Sequence, residues 1–150
     1  MRDSQRQDCN VHCPGVDREH DIIARMMSAL QHAVSEGRSA EVIGPLADLL
    51  TRFCVEHFQH EERLMRECGY LGTDRHAAAH RRLMAVLMKL QEKLRRGQSI
   101  TDETMGLLHR LAEHTNRWDR AASIAIQKGM TAERAKAAAA ASLGAGQLAC

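Results

Sequence analysis

An all-α fold is what this sequence predicts: an up-down-up-down antiparallel four-helix bundle with a short Ala-rich C-terminal extension. Three features point to it. Good helix formers (Ala, Leu, Met, Glu, Gln, Lys and Arg) dominate, and the 150 residues include only two Pro, two Phe, one Tyr and one Trp. Sandwiches and barrels favour aromatic and β-branched residues with frequent turn signals. Apolar residues recur at helical spacing through four long stretches. The connections between those stretches are only a few residues long, which makes consecutive helices antiparallel neighbours.

The first stretch runs from about Asp17 to Glu36, with Gly37 as its stop. The second begins after Ser39, read as an N-cap, and ends at Gly69. Pro45 inside it predicts kinked or irregular first turns. The third spans Thr73 to Gly97. The fourth begins after Thr101, with Asp102 and Glu103 in its first turn as the helix dipole favours, and ends at about Gly129. Residues 1–15 form an N-terminal arm, 16–129 the bundle domain and 130–150 a low-complexity tail. The tail contains the run Ala137 to Ala141 and is expected to form a short extra helix that frays, a packing or solubility appendage.

Composition narrows the function classes. The formal net charge is +2, too small to pull the chain toward nucleic acid or anionic membrane. The basic pairs Arg81-Arg82 and Arg95-Arg96 sit within helical patterns and read as solvated faces. No apolar run approaches the roughly 18 residues that would span a membrane. The opening Met1 to Gln7 lacks the apolar segment of a signal peptide, so a cytoplasmic address is expected. The five cysteines are an odd number, and without an export signal they do not suggest a disulfide framework. The unusual count is histidine, at nine.

Those histidines are placed, not scattered. Residues four apart lie about 40° apart on a helix, so His57 and Glu61 share one face of the second helix, and His76 and His80 one face of the third. Leu46, Leu50, Phe53, Leu64 and Cys68 fall near the His57 face, and Leu83, Leu87, Leu90 and Leu94 on the His76 and His80 stripe. His20 shares a stripe with Val16, Ile23, Ala24, Met27 and Val34. His114 shares one with Leu107, Leu111, Trp118, Ala121 and Ala125, and Asp119 follows it. Core-facing ionisable groups are costly unless paired or bound to metal, and facing helices that each supply ligand pairs suit a metal inside a bundle.

The ordered set Asp17-Arg-Glu-His20, His57-Phe-Gln-His-Glu61-Glu62, Gly69-Tyr70, His76-x3-His80 and His114-x4-Asp119 resembles the hemerythrin family, over roughly Val16 to Ala125. The resemblance implies a non-haem centre of two iron ions with an oxo or hydroxo bridge. His76, His80 and His114 would bind one iron, His20 and His57 the other, which keeps an open position, and Glu61 and Asp119 would bridge. It also implies that the partner is dioxygen, bound reversibly by a carrier, store or buffer. The alternatives are a di-iron enzyme acting on peroxide or nitric oxide, or an oxygen- or redox-sensing module. Oxygen-activating bundle enzymes tend to use more carboxylates and fewer histidines, which favours binding. The sequence departs from the family where a tryptophan-containing segment often precedes the first helix, where Glu19 stands for glutamine and where Leu71 stands for proline.

The neighbours divide further. His60 lies about 60° from His57 and reads as a residue behind the ligands or exposed; Glu62 reads as a solvated neighbour. His12, His32 and His109 read as surface residues, Tyr70 as a cap or packing residue, and Cys54 and Cys68 as small buried hydrophobes. Cys9 and Cys13 belong to the arm. Trp118 either lines the site or packs. His114 and Asp119 are five apart, which on a regular helix separates them by about 140°. A π-type distortion between about Leu111 and Ser123 would align them; the alternative is a regular helix with Asp119 reaching a metal displaced sideways.

Overall fold

The computed structural model describes residues 14–145, so Cys9, His12, Cys13 and Cys150 lie outside it. Its elements are α1 (Pro14–Ser35), α2 (Ala40–Glu67), α3 (Thr73–Arg95), α4 (Thr101–His114), a π-helical turn (Thr115–Asp119) and α5 (Arg120–Ala145). No strand occurs among the described residues. α4, the π turn and α5 follow one another without a gap and make a single fourth rod. α1 packs on α2, α2 on α3, α3 on α4 and α4 back on α1, so the four rods close a ring. No described helix is long and apolar enough to cross a membrane.

The glycine stops act as expected. Gly37, Gly69 and Gly97 take φ of 64°, 69° and 66°, the left-handed region open to glycine. After each, a backbone N–H reaches back five residues: Arg38 to the Ala33 carbonyl, Tyr70 to Met65 and Gln98 to Lys93. These bonds satisfy carbonyls that a bare helix end would leave open. Pro45 leaves α2 uninterrupted, because its missing N–H falls near the helix start and the exposed Glu41 beneath it is open to water. α1 is already helical at Pro14, earlier than the expected Asp17. Thr101 is the first residue of α4, and Ile100 holds the cap position.

Gly129 is a different matter. It was expected to end the fourth helix, yet α5 runs through it to Ala145, and the extra tail helix is a continuation of α5. A Cβ placed on Gly129 would lie 2.7 Å from the Cys68 Cβ. The residue is small because α5 passes close to the end of α2.

Two apolar clusters fill the bundle. The larger gathers Ile23, Met27, Leu30, Leu50, Leu87 and Leu107 with their neighbours. The smaller consists of Val16, Met65, Ala122 and Ile126, with Leu64, Cys68 and Tyr70 against it. Each fully buried Leu or Met contributes about 1.5–3 kcal/mol.

The fourth rod carries the expected distortion. The Arg120 N–H bonds to the Thr115 carbonyl, an i→i+5 link. The turn takes up one extra residue and moves the buried stripe with it. Before the turn Leu107, Leu111 and His114 are buried; after it the buried positions are Asp119, Ala122, Ser123 and Ile126. The expected continuation through Trp118, Ala121 and Ala125 is overturned: Trp118 and Ala125 are half-buried and Ala121 is exposed. On α1, Ala24 is likewise exposed and Leu30 takes its place in the core.

Candidate metal centre

The seven predicted residues come together between the two apolar clusters. α1 passes from Val16 through His20 to Ile23, and α2 from Phe58 through Glu61 to Met65. α3 brings His76 and His80 ahead of Leu83, and the fourth rod brings His114 and Asp119 between Leu111 and Ala122. The polar layer is thus closed above and below by hydrocarbon. His20, His57, Glu61, His76, His80, His114 and Asp119 are all at most 5% exposed.

Their donor atoms form two groups that share both carboxylates. Glu61, His76, His80, His114 and Asp119 make one; His20, His57, Glu61 and Asp119 make the other. Within each group the atoms lie within 4.8 Å of one another. Asp119 is the hinge: its Oδ1 lies 2.9 Å from His76 Nε2 and 3.0 Å from His114 Nε2, and its Oδ2 lies 3.0 Å from His20 Nε2.

The second layer of contacts settles which face of two imidazoles looks inward. Glu19 Oε2 accepts from His57 Nδ1 at 2.8 Å, and Glu62 Oε1 from His80 Nδ1 at 3.0 Å. A carboxylate only accepts, so Nδ1 carries hydrogen in both rings and the Nε2 of the neutral ring presents a lone pair. His80 Nε2 lies 3.2 Å from Glu61 Oε2 without hydrogen-bond alignment, and both Glu61 oxygens are buried with no hydrogen-bond partner among the described residues. Lone pairs crowd together in a dry interior, an arrangement that costs several kcal/mol per group unless a cation sits among them. This donor set of imidazole nitrogens and carboxylate oxygens, with carboxylates behind two of the imidazoles, fits a bound metal cation.

The electrostatics agree. Burial pushes the Asp119 carboxyl up, but hydrogen bonds from His114, His20 and His76 outweigh it and hold the group well below the carboxylate range. Burial and the Asp119 charge push Glu61 up, and the facing His76 and His80 more than reverse this. Two buried carboxylates therefore stay ionised. Burial opposes a charge on His76 too, yet Asp119 and Glu61 lift its pKa to about 9, so a proton is held where a cation would balance the same charges. On His114 burial dominates and the pKa falls.

Several neighbours are placed as expected. His60 bears no close relation to the shared carboxylates: its Nδ1 bonds Glu19 Oε1 at 2.7 Å. His32 and His109 are exposed. Cys54 is buried, with its thiol pushed up to about 12 by burial; Cys68, expected to be buried as well, is only half-buried, and among the described residues neither is in a disulfide. The Tyr70 carbonyl accepts from the Thr73 N–H and hydroxyl, and its ring lies where a Cβ on Gly72 would fall. Trp118 stands 6.0 Å from the His76 ring and lines the edge of the site.

Glu62 is a correction. It is not a solvated neighbour but is four-fifths buried behind His80 and also pairs with Arg66. Its i,i+4 relation to Arg66 looks like a surface pair, and the histidine on α3 is invisible until the helices pack. Glu19 and Phe58, which helical spacing alone does not assign to the site, also support it. Glu19 joins His57 and His60, and burial, which would raise its pKa, is outweighed by their hydrogen bonds. Phe58 stacks on His80 at 4.1 Å with the planes 13° apart. Its signal was available, since it stands four residues after Cys54 on the buried face.

A helical bundle with a buried, two-lobed cluster of histidines sharing two carboxylates is a metal-binding bundle. The chain matches the hemerythrin HHE cation-binding domain over residues 15–122 and belongs to that family. It is 26% identical over 127 residues to a bacteriohemerythrin of Pseudomonas paraeruginosa, covering 84% of this chain and 82% of that protein. The bacteriohemerythrin of Stenotrophomonas maltophilia is 26% identical over 105 residues (70% and 68%). That of Methylococcus capsulatus is 34% identical over 83 residues (55% and 63%).

Proposed function

We propose that this protein binds dioxygen reversibly at a non-haem centre of two iron ions, as a carrier, store or local buffer. The observation that carries this is the asymmetry of the two donor groups about a shared carboxylate pair. Three histidines (His76, His80 and His114) serve one position, and only two (His20 and His57) serve the other. Glu61 and Asp119 would serve both metals beside an oxo or hydroxo group, and the metal held by His20 and His57 would have one protein donor fewer, which would leave room for a small molecule.

A ferrous pair held by these residues would supply the electrons that dioxygen draws on. The chain's own residues do the rest. Glu19 and Glu62 hold the His57 and His80 rings in one tautomer and orientation. Phe58, packed against His80 and tilted against His57 at 5.6 Å, puts hydrocarbon beside the polar layer. The apolar clusters on either side keep bulk water and proton donors out. The order in which each helix meets those clusters supports up-down-up-down topology: α1 goes from the smaller to the larger cluster, and α2 goes the other way. α3 runs toward the larger, and the fourth rod away from it. A cytoplasmic place is part of the same proposal.

The test is spectroscopic. The purified chain should contain two iron atoms, and the reduced protein should gain a visible charge-transfer band in air that disappears under argon. Rapid irreversible oxidation, with catalysed loss of peroxide or nitric oxide well above that of free iron, would place the protein among the enzymes instead.

A further inference from the structure

On the outer side of His114, between α3 and the fourth rod, a cavity of about 240 Å³ opens to solvent. Arg82, Arg110 and Arg117 surround it, with Glu113 at the same wall, His114 at its inner side and Trp118 beside it. Three guanidinium groups against one carboxylate leave a local charge of about +2. None of these three arginines makes an ion pair or hydrogen bond among the described residues, whereas Arg25, Arg38, Arg66, Arg95 and Arg96 each hold a carboxylate. Arg82 belongs to a basic pair that reads in the sequence as a mere solvated face.

His114 supplies the second half of the argument. Its Nε2 faces Asp119 and His76, and its Nδ1, on the other side of the ring, has no acceptor among the described residues. The corresponding nitrogens of His57 and His80 each have a carboxylate from the chain itself, Glu19 and Glu62. A metal-bound imidazole ordinarily gives its second N–H to such an acceptor. Among the described residues no such acceptor meets His114 Nδ1, and a cavity ringed with anion-binding groups stands beside the ring.

We propose that this cavity binds a small multivalent oxyanion, held by Arg82, Arg110 and Arg117, with one of its oxygens accepting the His114 Nδ1–H. The forked guanidinium groups match the paired oxygens of carboxylate and phosphate alike. The Nδ1 contact rests on the reading that His114 Nε2 turns its lone pair to a metal; capture of the anion by the arginines does not. The space admits an ion of several non-hydrogen atoms, more than a single water. The bound anion is then a positioning group for His114, supplied from solution.

Trp118 is the only tryptophan in the chain and borders the cavity, so its fluorescence reports occupancy directly. The full-length protein as purified, its metal content measured in the same samples, is titrated with inorganic phosphate and with citrate at constant ionic strength, with chloride as control. A saturable change with either is expected, and the stronger of the two names the class. Arg82→Gln combined with Arg110→Gln, both on exposed helix positions, should weaken it at least about tenfold without altering helix content or metal content, because each loses a charge-assisted contact. A response no different from chloride overturns the proposal, and so does saturable binding that the double variant retains. Failure of the metal reading would appear separately, as absent iron in the same samples.

Discussion

Replacing Glu62 by alanine removes the acceptor behind His80 while leaving every proposed ligand in place. The His80 Nδ1 to Glu62 Oε1 distance is 3.0 Å, and the carboxylate is only 20% exposed, so water does little to screen it. A hydrogen bond to a charged group of this kind contributes about 1.5–3 kcal/mol. At about 1.4 kcal/mol per tenfold, the loss corresponds to a fall in iron affinity of roughly ten- to a hundredfold. Glu62→Gln keeps an acceptor oxygen without the charge and should fall about tenfold or less. The assay is anaerobic competition for Fe(II) against a chelator of known affinity. Arg66→Ala is the control: its pair with Glu62 is exposed on the arginine side and should leave affinity unchanged. If Glu62→Ala binds iron within about twofold of the parent, a carboxylate behind His80 does not tune the site and the argument from tautomer fails.

Three further outcomes follow from the same geometry. His57→Ala should lose iron on analysis of the purified protein, and His60→Ala should keep it, since only His57 belongs to a donor group; the reverse result would shift the register by three residues. In the metal-free protein, His76 has a folded pKa raised from 6.5 to about 9, so its contribution to stability is full below pH 6.5 and is lost as pH rises through 9. Urea midpoints of the metal-free form should therefore fall between pH 7 and pH 10, and a midpoint that rises over this range would contradict the assignment. Gly129→Val should cost about 1–3 kcal/mol in urea unfolding, because its Cβ would meet the Cys68 Cβ at 2.7 Å; unchanged stability would mean that α5 is not held against α2.

The helices, and the faces that bring the seven candidate residues together, were legible because both rest on local spacing. His57 with Glu61, and His76 with His80, share faces by helical geometry alone, and Gly37, Gly69 and Gly97 stand where a chain must adopt positive φ. What stayed hidden depends on other helices. Glu62 reads as the partner of Arg66 four residues on, and only the approach of α3 turns it toward His80. Glu19 gains meaning when α1 meets α2 and its two oxygens find His57 and His60. Gly129 carries the same symbol as the three stops but serves a helix crossing, a distinction that lies in the Cys68 side of the contact. Arg82, Arg110 and Arg117 come from two separate elements and the π turn, so no stretch of sequence displays their cavity.

The π turn links the site to its seal. On a regular helix, continuing the stripe of Leu107, Leu111 and His114 would bury Trp118, Ala121 and Ala125 and swing Asp119 about 140° away from His114. With one extra residue taken up between Thr115 and Asp119, Asp119 joins His114 at a distance of 3.0 Å. The same step brings Ala122 and Ile126 into the smaller apolar cluster with Val16 and Met65, and it leaves Trp118 at the edge, beside the basic cavity. A distortion that served the site alone would misplace everything downstream, and the sequence after Asp119 would have to compensate. Instead the first turns of α5 are written in the shifted register, with Ala122, Ser123 and Ile126 inward and the charged Arg120 and Lys128 outward. The irregularity is therefore built into the sequence of the whole rod, and the residues that close the site from water depend on the same turn that brings in its shared carboxylate.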